Sequence, residues 1–350
     1  MMTKRILQAF CIAACLAAAA APAGTGYKRY SDREEVRDFV DGLVEKHLFN
    51  RAELLGLFRR VEQQPSVLEA ISRPAERVLT WSEYRPIFVT PDRIEGGVRF
   101  WRENKALLQE AEKSYGVPAQ IIVAIIGVET RYGKQTGKYR VFDTLTTLGF
   151  EENQRQGFFR SELEHFLLLA RDQRLDPLAV RGSYAGAMGM PQFISSSYRE
   201  YAVDFNKDGR VDLWSNPDVI ASVANYFKRW GWEQGAQVVV PAKVTGDVSE
   251  IAIGRGRKGL KPEKTYEVLR QAGVTAGVRL PPETEAVLIE LETTEGLEYW
   301  LGLHNFYVIT RYNGSAMYAL AAYQLGQEIA VNYKKPVLAD KSPKPVVADK

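Results

Sequence analysis

The chain has 350 residues, of which 45% are hydrophobic and 25% are charged. This is ordinary globular composition, and it excludes a disordered, collagen-like or acidic-tail protein as the main body. The formal net charge of +3 falls to +1, with 44 basic against 43 acidic residues, if a leader that carries Lys4 and Arg5 is removed. A charge so close to zero does not favour nucleic acid as a partner.

Cysteine and histidine are too scarce for most thiol or imidazole chemistry. The chain has two cysteines, Cys11 and Cys15, and three histidines, His47, His165 and His304. Nothing after Cys15 can form a disulfide or a thiolate metal site. The chemistry must therefore rest on carboxylates, amides, hydroxyls and aromatic rings, and we expect no catalytic cofactor.

Residues 1–23 have the order of a secretory signal peptide. Lys4 and Arg5 precede an apolar run from Ile6 to Ala21, and small residues at its end suit cleavage near Ala23. Two alternatives stay open, a membrane helix, for which the run is short, and a lipoprotein signal with lipid on Cys15. We predict an exported, periplasmic protein that associates with the membrane only if Cys15 is lipidated.

Helical periodicity dominates the chain after this leader. It predicts helices over residues 35–48, 52–61, 94–114, 161–171 and 217–229. Ser161 with Glu164 predicts a capping box, and Asn216 before Pro217 predicts a helix start. The bulk of the protein is therefore expected to be helical.

Between residues 233 and 301 the pattern changes to short β-branched runs separated by Gly and Pro clusters. We predict a mainly α fold in which a helical body over 31–232 is interrupted by a small β-containing subdomain over 233–301. Segment 302–330, with a last helix from Ser315 to Ala330, completes the body. Residues 334–350 repeat a motif rich in Pro and Lys, which predicts a disordered tail.

Glu129 is a carboxylate on an apolar helix face. Residues 118–131 are apolar on all sides, which predicts a buried helix that Gly133 stops. Burial raises the pKa of a carboxyl group, and an acid that stays protonated near neutral pH can protonate the leaving oxygen of a glycosidic bond. The alternative is that Glu129 emerges at the helix end and pairs with Arg131 or another base.

Three separated motifs resemble those of the membrane-bound lytic murein transglycosylase B family. They are Gly127–Gly133, Ser183–Phe193 and Arg311–Asn313, and matches extend in order from about Asp32 to Gln327. The resemblance implies a lysozyme-like helical core, with Glu129 as the single acid/base. It also implies peptidoglycan glycan strands as the substrate and other cell-wall enzymes as possible partners.

The implied reaction needs one carboxylate. Glu129 protonates the β-1,4 oxygen between N-acetylmuramic acid and N-acetylglucosamine, and the muramyl C6 hydroxyl then attacks C1 to give a 1,6-anhydro end. Most glycosidases use two carboxylates, and no second one is marked out beside Glu129. A hydrolytic muramidase with Asp143 or Glu152 as base is one alternative, and a non-catalytic peptidoglycan-binding protein is another.

The resemblance also implies eight substrate contacts: Ser183, Gln192, Tyr312, Asn313, Tyr84, Tyr226, Tyr318 and Arg155. The amide of Gln192 can both donate and accept hydrogen bonds, and tyrosine rings can stack on the apolar faces of sugars. Arg155 would meet the anionic stem peptide, although Gln154 stands where a second arginine is expected. For Tyr84, Tyr226 and Tyr318 a purely structural role is an equal alternative.

Residues 204–218 resemble a long EF-hand loop. Oxygen-bearing side chains occupy its positions 1, 3 and 5, and glycine occupies position 6. Position 12 is Ser215 instead of glutamate, and the resemblance implies closure by an acidic residue at position 15. The expected ligands of a structural Ca²⁺ are Asp204, Asn206, Asp208, Arg210 through its carbonyl, and Asp218. The alternative is a turn without metal.

Overall fold

The structure, a computed structural model, describes residues 29–72, 79–255 and 258–335. The predicted signal peptide, the cysteines and the tail beyond residue 335 lie outside these residues. Within them the fold is mainly helical, as predicted. No helix in these segments is both long enough and apolar enough to cross a bilayer.

Fourteen α-helices lie in the described segments. The first seven are α1 (Glu34–His47), α2 (Arg51–Phe58), α3 (Pro65–Ser72), α4 (Trp81–Phe88), α5 (Pro91–Glu103), α6 (Lys105–Tyr115) and α7 (Ala119–Thr130). The others are α8 (Val141–Phe150), α9 (Gln156–Asp172), α10 (Ser195–Tyr201), α11 (Asn216–Arg229), α12 (Tyr266–Gln271), α13 (His304–Tyr312) and α14 (Ala316–Tyr333).

Several predicted helix boundaries are wrong: the helix predicted over 52–61 ends at Phe58, and the last helix ends at Tyr333 instead of Ala330. Two further errors have a clear structural reason. The helix predicted over 94–114 is two helices, because Asn104 leaves helical geometry and its side chain donates to the Phe100 carbonyl at 2.9 Å. The predicted capping box of Ser161 and Glu164 lies inside α9, which already begins at Gln156. The helix extends backwards because the ring of Phe159 is buried in the core.

The strands are β1 (Tyr139–Arg140), β2 (Arg181–Gly182), β3 (Val239–Val244), β4 (Ile253–Gly254), β5 (Lys264–Thr265), β6 (Val274–Ala276), β7 (Glu285–Thr293) and β8 (Gly296–Gly302). The first two form a short antiparallel pair. The rest form a six-stranded sheet in the order β4-β7-β8-β3-β6, with β5 also paired to β7. The β7–β8 hairpin is its longest ladder, with Leu288 opposite Leu301.

Strand β7 connects this sheet to the helical body because both of its faces are buried. Ala286 and Leu288 pack into a small core of the sheet and α12. Val287 and Ile289 pack into the main core of the protein. Strand alternation thus assigns successive residues to two cores.

Helix α7 lies at the centre of the main core and packs against α5, α6, α11 and α14. Ile122, Val123, Ile125 and Ile126 are fully buried, and burial of each such side chain contributes about 1.5–3 kcal/mol. A helix held on all sides places Glu129, next to its last residue, in a defined position.

Candidate active site

Helix α7 ends in a tight left-handed turn. Arg131, Tyr132 and Gly133 have φ values of 50°, 61° and 85°. The helix therefore ends before the predicted stop at Gly133. Two successive non-glycine residues in this region carry strain of about 1–3 kcal/mol each, which the surrounding structure must offset.

The ring of Tyr132 fits a slot that three glycines leave open. A Cβ added to Gly96 would lie 2.8 Å from the Tyr132 ring, and one added to Gly97 would lie 2.6 Å from its hydroxyl. A Cβ on Gly127 would collide with the same hydroxyl. The three glycines therefore admit the ring only because they have no side chains.

Arg93 connects Tyr132 to α7 by hydrogen bonds. The hydroxyl of Tyr132 donates to the Arg93 carbonyl at 2.7 Å, and Arg93 Nε donates to the Gly127 carbonyl at 3.0 Å. Arg93 also binds the carbonyls of Ile87 and Phe88 at the end of α4. Sequence reasoning missed both roles; the one available signal was the Gly96-Gly97 pair inside a helical pattern.

The Glu129 carboxyl is half-buried and accepts a hydrogen bond of 2.5 Å from the Tyr318 hydroxyl. Burial raises the pKa of Glu129 to about 7, and the Tyr318 hydrogen bond opposes this rise. Among the described residues no ion pair joins Glu129 to Arg131, which was the alternative predicted from the sequence. The carboxyl can therefore exist in both protonation states near neutral pH.

Tyr318 stands in the first turn of α14, where the Ser315 side chain caps the helix. Burial, and then the charge of Glu129, raise the pKa of both Tyr318 and Tyr312 well above the ordinary value. Both phenols therefore stay neutral donors close to Glu129. Tyr84 contributes to the raised pKa of Tyr318 and packs on Phe88 with ring centroids 5.1 Å apart.

The loop 183–193 is tied to the end of α7. Thr130 Oγ1 donates to the Met190 carbonyl at 2.9 Å. Ser183 Oγ accepts from the amides of Ala185 and Ala187. Both Ser183 and Gln192 are buried, and the Gln192 amide nitrogen donates to the carbonyls of Thr136 and Gly189. Both side chains shape the loop in this structure.

Tyr312 and Tyr226 pack against each other beside the loop 183–193. Tyr312 is buried and its hydroxyl donates to the Pro191 carbonyl. Tyr226 is fully buried, its hydroxyl donates to the Arg311 carbonyl at 2.5 Å, and its ring packs edge-on to Tyr312. Tyr226 offers no ring face to a sugar here, so the structure favours the structural alternative for this residue.

Asn313 and Arg155 were the two predicted contacts outside the tyrosines and the loop. Asn313 is 5% exposed at the end of α13, and its Oδ1 has no hydrogen-bond partner among the described residues. Arg155 precedes α9, and its guanidinium lies 4.3 Å from the centroid of the Phe158 ring. A buried amide oxygen without a partner is costly unless a ligand or water meets it.

Of the two carboxylates predicted as an alternative catalytic base, Asp143 is paired with an arginine and Glu152 is exposed. Asp143 is buried in the first turn of α8, and its Oδ2 lies 2.6 Å from the Arg140 guanidinium. Burial raises the pKa of Asp143 and Arg140 lowers it. Glu152 is exposed. Neither carboxylate is among the groups that shift the pKa of Glu129.

The predicted calcium loop is folded around its own carboxylates. Asp204 accepts from the amides of Asp208 and Gly209, at 3.1 and 2.9 Å. Asp218 is fully buried and accepts from the amides of Phe205 and Asp212, both at 2.8 Å. Across the described residues, no three His, Cys, Asp or Glu side chains form a cluster that could hold a metal ion.

The donor set of this loop is nevertheless the oxygen-rich kind that Ca²⁺ takes. Two carboxylates and one amide side chain lie within five residues, and the left-handed Gly209, with φ of 85°, makes the turn. The Met190 amide donates to the Leu213 carbonyl at 2.8 Å, so the loop also supports segment 183–193.

Comparison with known proteins identifies the family. The Transglycosylase SLT domain model matches residues 31–327. The chain is 42% identical to membrane-bound lytic murein transglycosylase B of Escherichia coli over 311 aligned residues. The alignment covers 86% of this chain and 84% of that protein. The chain belongs to the Transglycosylase SLT domain family, and the prediction of a lytic transglycosylase is confirmed.

Solved structures agree with this assignment. The soluble lytic transglycosylase SltB1 of Pseudomonas aeruginosa is 52% identical, with a TM-score of 0.81 over 85% of this chain and 99% of that one. Slt35 of E. coli, solved in complex with calcium, is 43% identical, with a TM-score of 0.80 over 87% and 95%. SltB3 of P. aeruginosa, solved with NAG-anhNAM-pentapeptide, is 30% identical, with a TM-score of 0.73 over 85% and 79%.

The predicted lysozyme-like helical fold is confirmed by these structures. The chain is an enzyme of the lytic transglycosylase class, and the alternatives of a hydrolytic muramidase and a non-catalytic binding protein are not favoured.

Proposed function

We propose that the protein cleaves the β-1,4 bond between N-acetylmuramic acid and N-acetylglucosamine in peptidoglycan, with Glu129 as the single acid/base. The observation that carries this proposal is the half-buried Glu129 carboxyl, whose pKa is raised to about 7 and whose Oε1 accepts from Tyr318. Such a group supplies a proton and takes one back at the same pH.

In the first step Glu129 transfers its proton to the glycosidic oxygen while the C1–O4 bond breaks. The carbonyl oxygen of the muramyl N-acetyl group bonds to C1, and the positive charge that develops there is taken up by the oxazolinium ring so formed. Tyr318 donates to the new carboxylate and stabilises it, since hydrogen bonds to ionised groups are the stronger ones.

In the second step the Glu129 carboxylate removes the proton of the muramyl C6 hydroxyl. Oxygen O6 then attacks C1, the bond from the N-acetyl oxygen breaks, and a 1,6-anhydro ring forms. Glu129 ends protonated, so the enzyme is regenerated and no water is consumed. The substrate supplies both nucleophiles, which is why one carboxylate suffices.

We assign the substrate contacts that the family resemblance implies, and we rank them by the burial and hydrogen bonding of each side chain. Asn313 is the strongest candidate, because its buried Oδ1 can accept from an N-acetyl N–H. Tyr312 and Tyr318 would act through their hydroxyls. Ser183 and Gln192 would present the loop to the muramyl group and its peptide. Tyr84, Tyr226 and Arg155 would act at the periphery: Tyr84 and Tyr226 by supporting the other tyrosines, and Arg155 by charge.

We also infer a structural Ca²⁺ in segment 204–218, supported by its oxygen donors and by the calcium complex of E. coli Slt35. Asp204, Asn206, Asp208 and the Arg210 carbonyl would hold the ion, and Asp218 would close the loop. A bound ion there would stiffen the support of segment 183–193 and would take no part in the reaction.

We further propose export of the protein by its N-terminal signal. An enzyme that acts on peptidoglycan must reach the cell envelope, and the E. coli relative is described as membrane-bound. Mass spectrometry of the mature protein tests this proposal. Cleavage near Ala23 supports a periplasmic enzyme, whereas lipid on Cys15 places it at the membrane.

The reaction is tested by mass spectrometry of the muropeptides released from purified peptidoglycan. An anhydro product is lighter by one water than the hydrolysed product, which separates a transglycosylase from a muramidase. Glu129→Gln should abolish release and keep binding to peptidoglycan. Release by the variant at the wild-type rate would remove Glu129 from the mechanism.

A further inference from the structure

A cavity of about 360 Å³ lies where α13 meets the β subdomain. One wall is the face of α13 that carries Tyr307, Thr310 and Arg311, followed by Gly314. The opposite wall is formed by segment 259–264 with β7 and α12. The proposed reaction uses none of these side chains.

The floor of this cavity is apolar and its rim is cationic. Leu269 and Leu288 are fully buried and Leu260 is nearly so. Lys261 and Lys264 are exposed at the rim. A cavity with this distribution suits a ligand that combines small apolar groups with negative charge.

The charges that line the cavity sum to a net positive value. Lys261, Lys264 and Arg311 face one acid, Glu263. The Lys261 ammonium lies 3.6 Å from the Glu263 carboxylate, and both are exposed, so water weakens this pair. The excess of cations therefore remains available to an anion.

Arg311 directly precedes Tyr312 and Asn313 in the chain. Its guanidinium lies 4.4 Å from the centroid of the Trp230 ring, and its buried Nε has no hydrogen-bond partner among the described residues. Its main-chain carbonyl accepts from the Tyr226 hydroxyl. The ring beneath and this tether hold the arginine in place at the cavity wall.

The cavity wall is close in the chain to the helix that contacts the catalytic carboxyl. Gly314, in the cavity wall, stands four residues before Tyr318, whose hydroxyl contacts Glu129. Four residues span at most about 14 Å, whereas an extended peptide of five residues spans about 17 Å. An extended stem peptide is therefore longer than the separation between the Cα atoms of Gly314 and Tyr318.

We propose that this cavity binds the stem peptide of peptidoglycan through its carboxylates. The peptide's free carboxylates meet Lys261, Lys264 and Arg311, and its small apolar side chains meet the leucine floor. The inference rests on the proposed function, since it requires a muramyl residue at Glu129. It gives the β subdomain a part in choosing which strands are cut.

The test compares two substrates and three proteins. The substrates are purified glycan strands with intact stem peptides and the same strands stripped of peptide by an amidase. The proteins are the wild type, the Lys261→Gln/Lys264→Gln variant and a matched control, Lys243→Gln/Arg279→Gln. The control removes two exposed charges from the same subdomain outside the cavity.

The cavity variant should raise KM for peptide-bearing strands about fivefold, as expected for two exposed charge contacts, with kcat unchanged. Stripped strands and the control should show wild-type KM, and 0.5 M salt should abolish the difference because it screens exposed charges. Unchanged KM on peptide-bearing strands would overturn the proposal. So would an equal rise on both substrates, which would assign the cavity to the glycan itself.

Failure of the proposed function looks different in the same experiment. In that case the wild type releases no anhydro product from either substrate, and the stem-peptide proposal falls with it. If the wild type cuts both substrates and the KM of the cavity variant is unchanged on peptide-bearing strands, the catalytic proposal stands. The cavity proposal alone is then refuted.

Discussion

The hydroxyl of Tyr318 donates a 2.5 Å hydrogen bond to the carboxyl of Glu129, although the two residues are 189 positions apart in the chain. Burial raises the pKa of this carboxyl and the hydrogen bond lowers it, with a net value of about 7. The balance between these two effects sets the fraction of enzyme that is ready to protonate the substrate.

Tyr318→Phe should therefore move the pH profile of catalysis. The acid form of Glu129 starts the reaction, so kcat/KM should fall as the pH rises through about 7. Loss of a hydrogen bond to the ionised carboxylate should raise the pH at which kcat/KM falls by about one unit. We call this fall the alkaline limb of the profile. The substitution should also lower kcat about tenfold, because the glutamate formed in the first step loses its donor.

A pH–rate profile of the released anhydro product measures both effects. Tyr323→Phe, on the same helix and half-exposed, is the control. An unmoved limb in Tyr318→Phe would show that this hydrogen bond does not tune Glu129.

Glu129→Gln should stabilise the protein at alkaline pH. The folded-state pKa of Glu129 is raised from 4.5 to about 7. A carboxyl with a raised pKa contributes stability below about pH 4.5 that is lost as the pH rises through 7, since the charged form is buried at a cost. The variant avoids this cost, so its free energy of unfolding at pH 8 should exceed that of the wild type by about 1–3 kcal/mol.

Denaturant unfolding at pH 4.5 and at pH 8 measures this difference. At the lower pH wild type and variant should differ far less, since the wild-type carboxyl is mostly protonated when folded. A variant less stable than the wild type at pH 8 would contradict the raised pKa.

Tyr132→Phe should reduce kcat while leaving KM near the wild-type value. The hydroxyl of Tyr132 binds the Arg93 carbonyl, and Arg93 in turn binds the Gly127 carbonyl two residues before Glu129. Loss of this bond should cost about 1 kcal/mol of stability and loosen the position of the carboxyl. Gly127→Ala should be more damaging, because its Cβ collides with the same ring.

Steady-state kinetics and thermal melting of both variants separate positioning from folding. Tyr132→Phe that melts close to the wild type but has a lower kcat supports a positioning role. Wild-type kcat in that variant would reduce Tyr132 to a packing residue.

Calcium should raise the melting temperature of the protein after treatment with a chelator. The expected rise is a few degrees, since binding to the folded state alone stabilises it by mass action. Asp204→Ala should remove the response, because Asp204 would lose its carboxylate ligand and its bonds to the loop amides. Asp92→Ala, a carboxylate at the exposed start of α5, is the control. No response in the wild type would exclude the ion.

Catalytic rate should follow this stabilisation only indirectly. The loop touches segment 183–193 through the bond between Met190 and Leu213, so calcium should affect activity near the melting temperature and not well below it. A large effect of calcium on kcat at low temperature would contradict a purely structural role.

Local pattern predicted most of the helices because each was encoded within its own segment. Residues 118–131 are apolar on all sides, and ten of the twelve residues of α7 are buried. The errors arose where a tertiary contact decided the boundary. Burial of Phe159 extends α9 backwards past the predicted cap at Ser161. Asn104, which accepts from Asn216 of α11 at 3.0 Å, separates two helices that one periodic pattern had joined.

The functional site also has parts that local sequence could predict and parts that depend on tertiary contacts. The motif around Glu129 and the loop 183–193 could be found in the sequence, because each is a contiguous run whose residues suit its chemistry. The slot for Tyr132 could not, since it needs Gly96 and Gly97 from α5 against Gly127 from α7. Likewise, the full burial of Tyr226, which favours the structural one of its two predicted roles, depends on packing against α13.

By itself the sequence determined that one carboxylate sits on an apolar helix and that cysteine and histidine are too few to replace it. Its motifs were enough to identify the class of enzyme. Only the tertiary structure decided the pKa of Glu129, because desolvation and the bond from Tyr318 come from elements far apart in the chain. It alone also joined Arg311 to Lys261 and Lys264 around one cavity, since charges on separate elements act together only when folding brings them close.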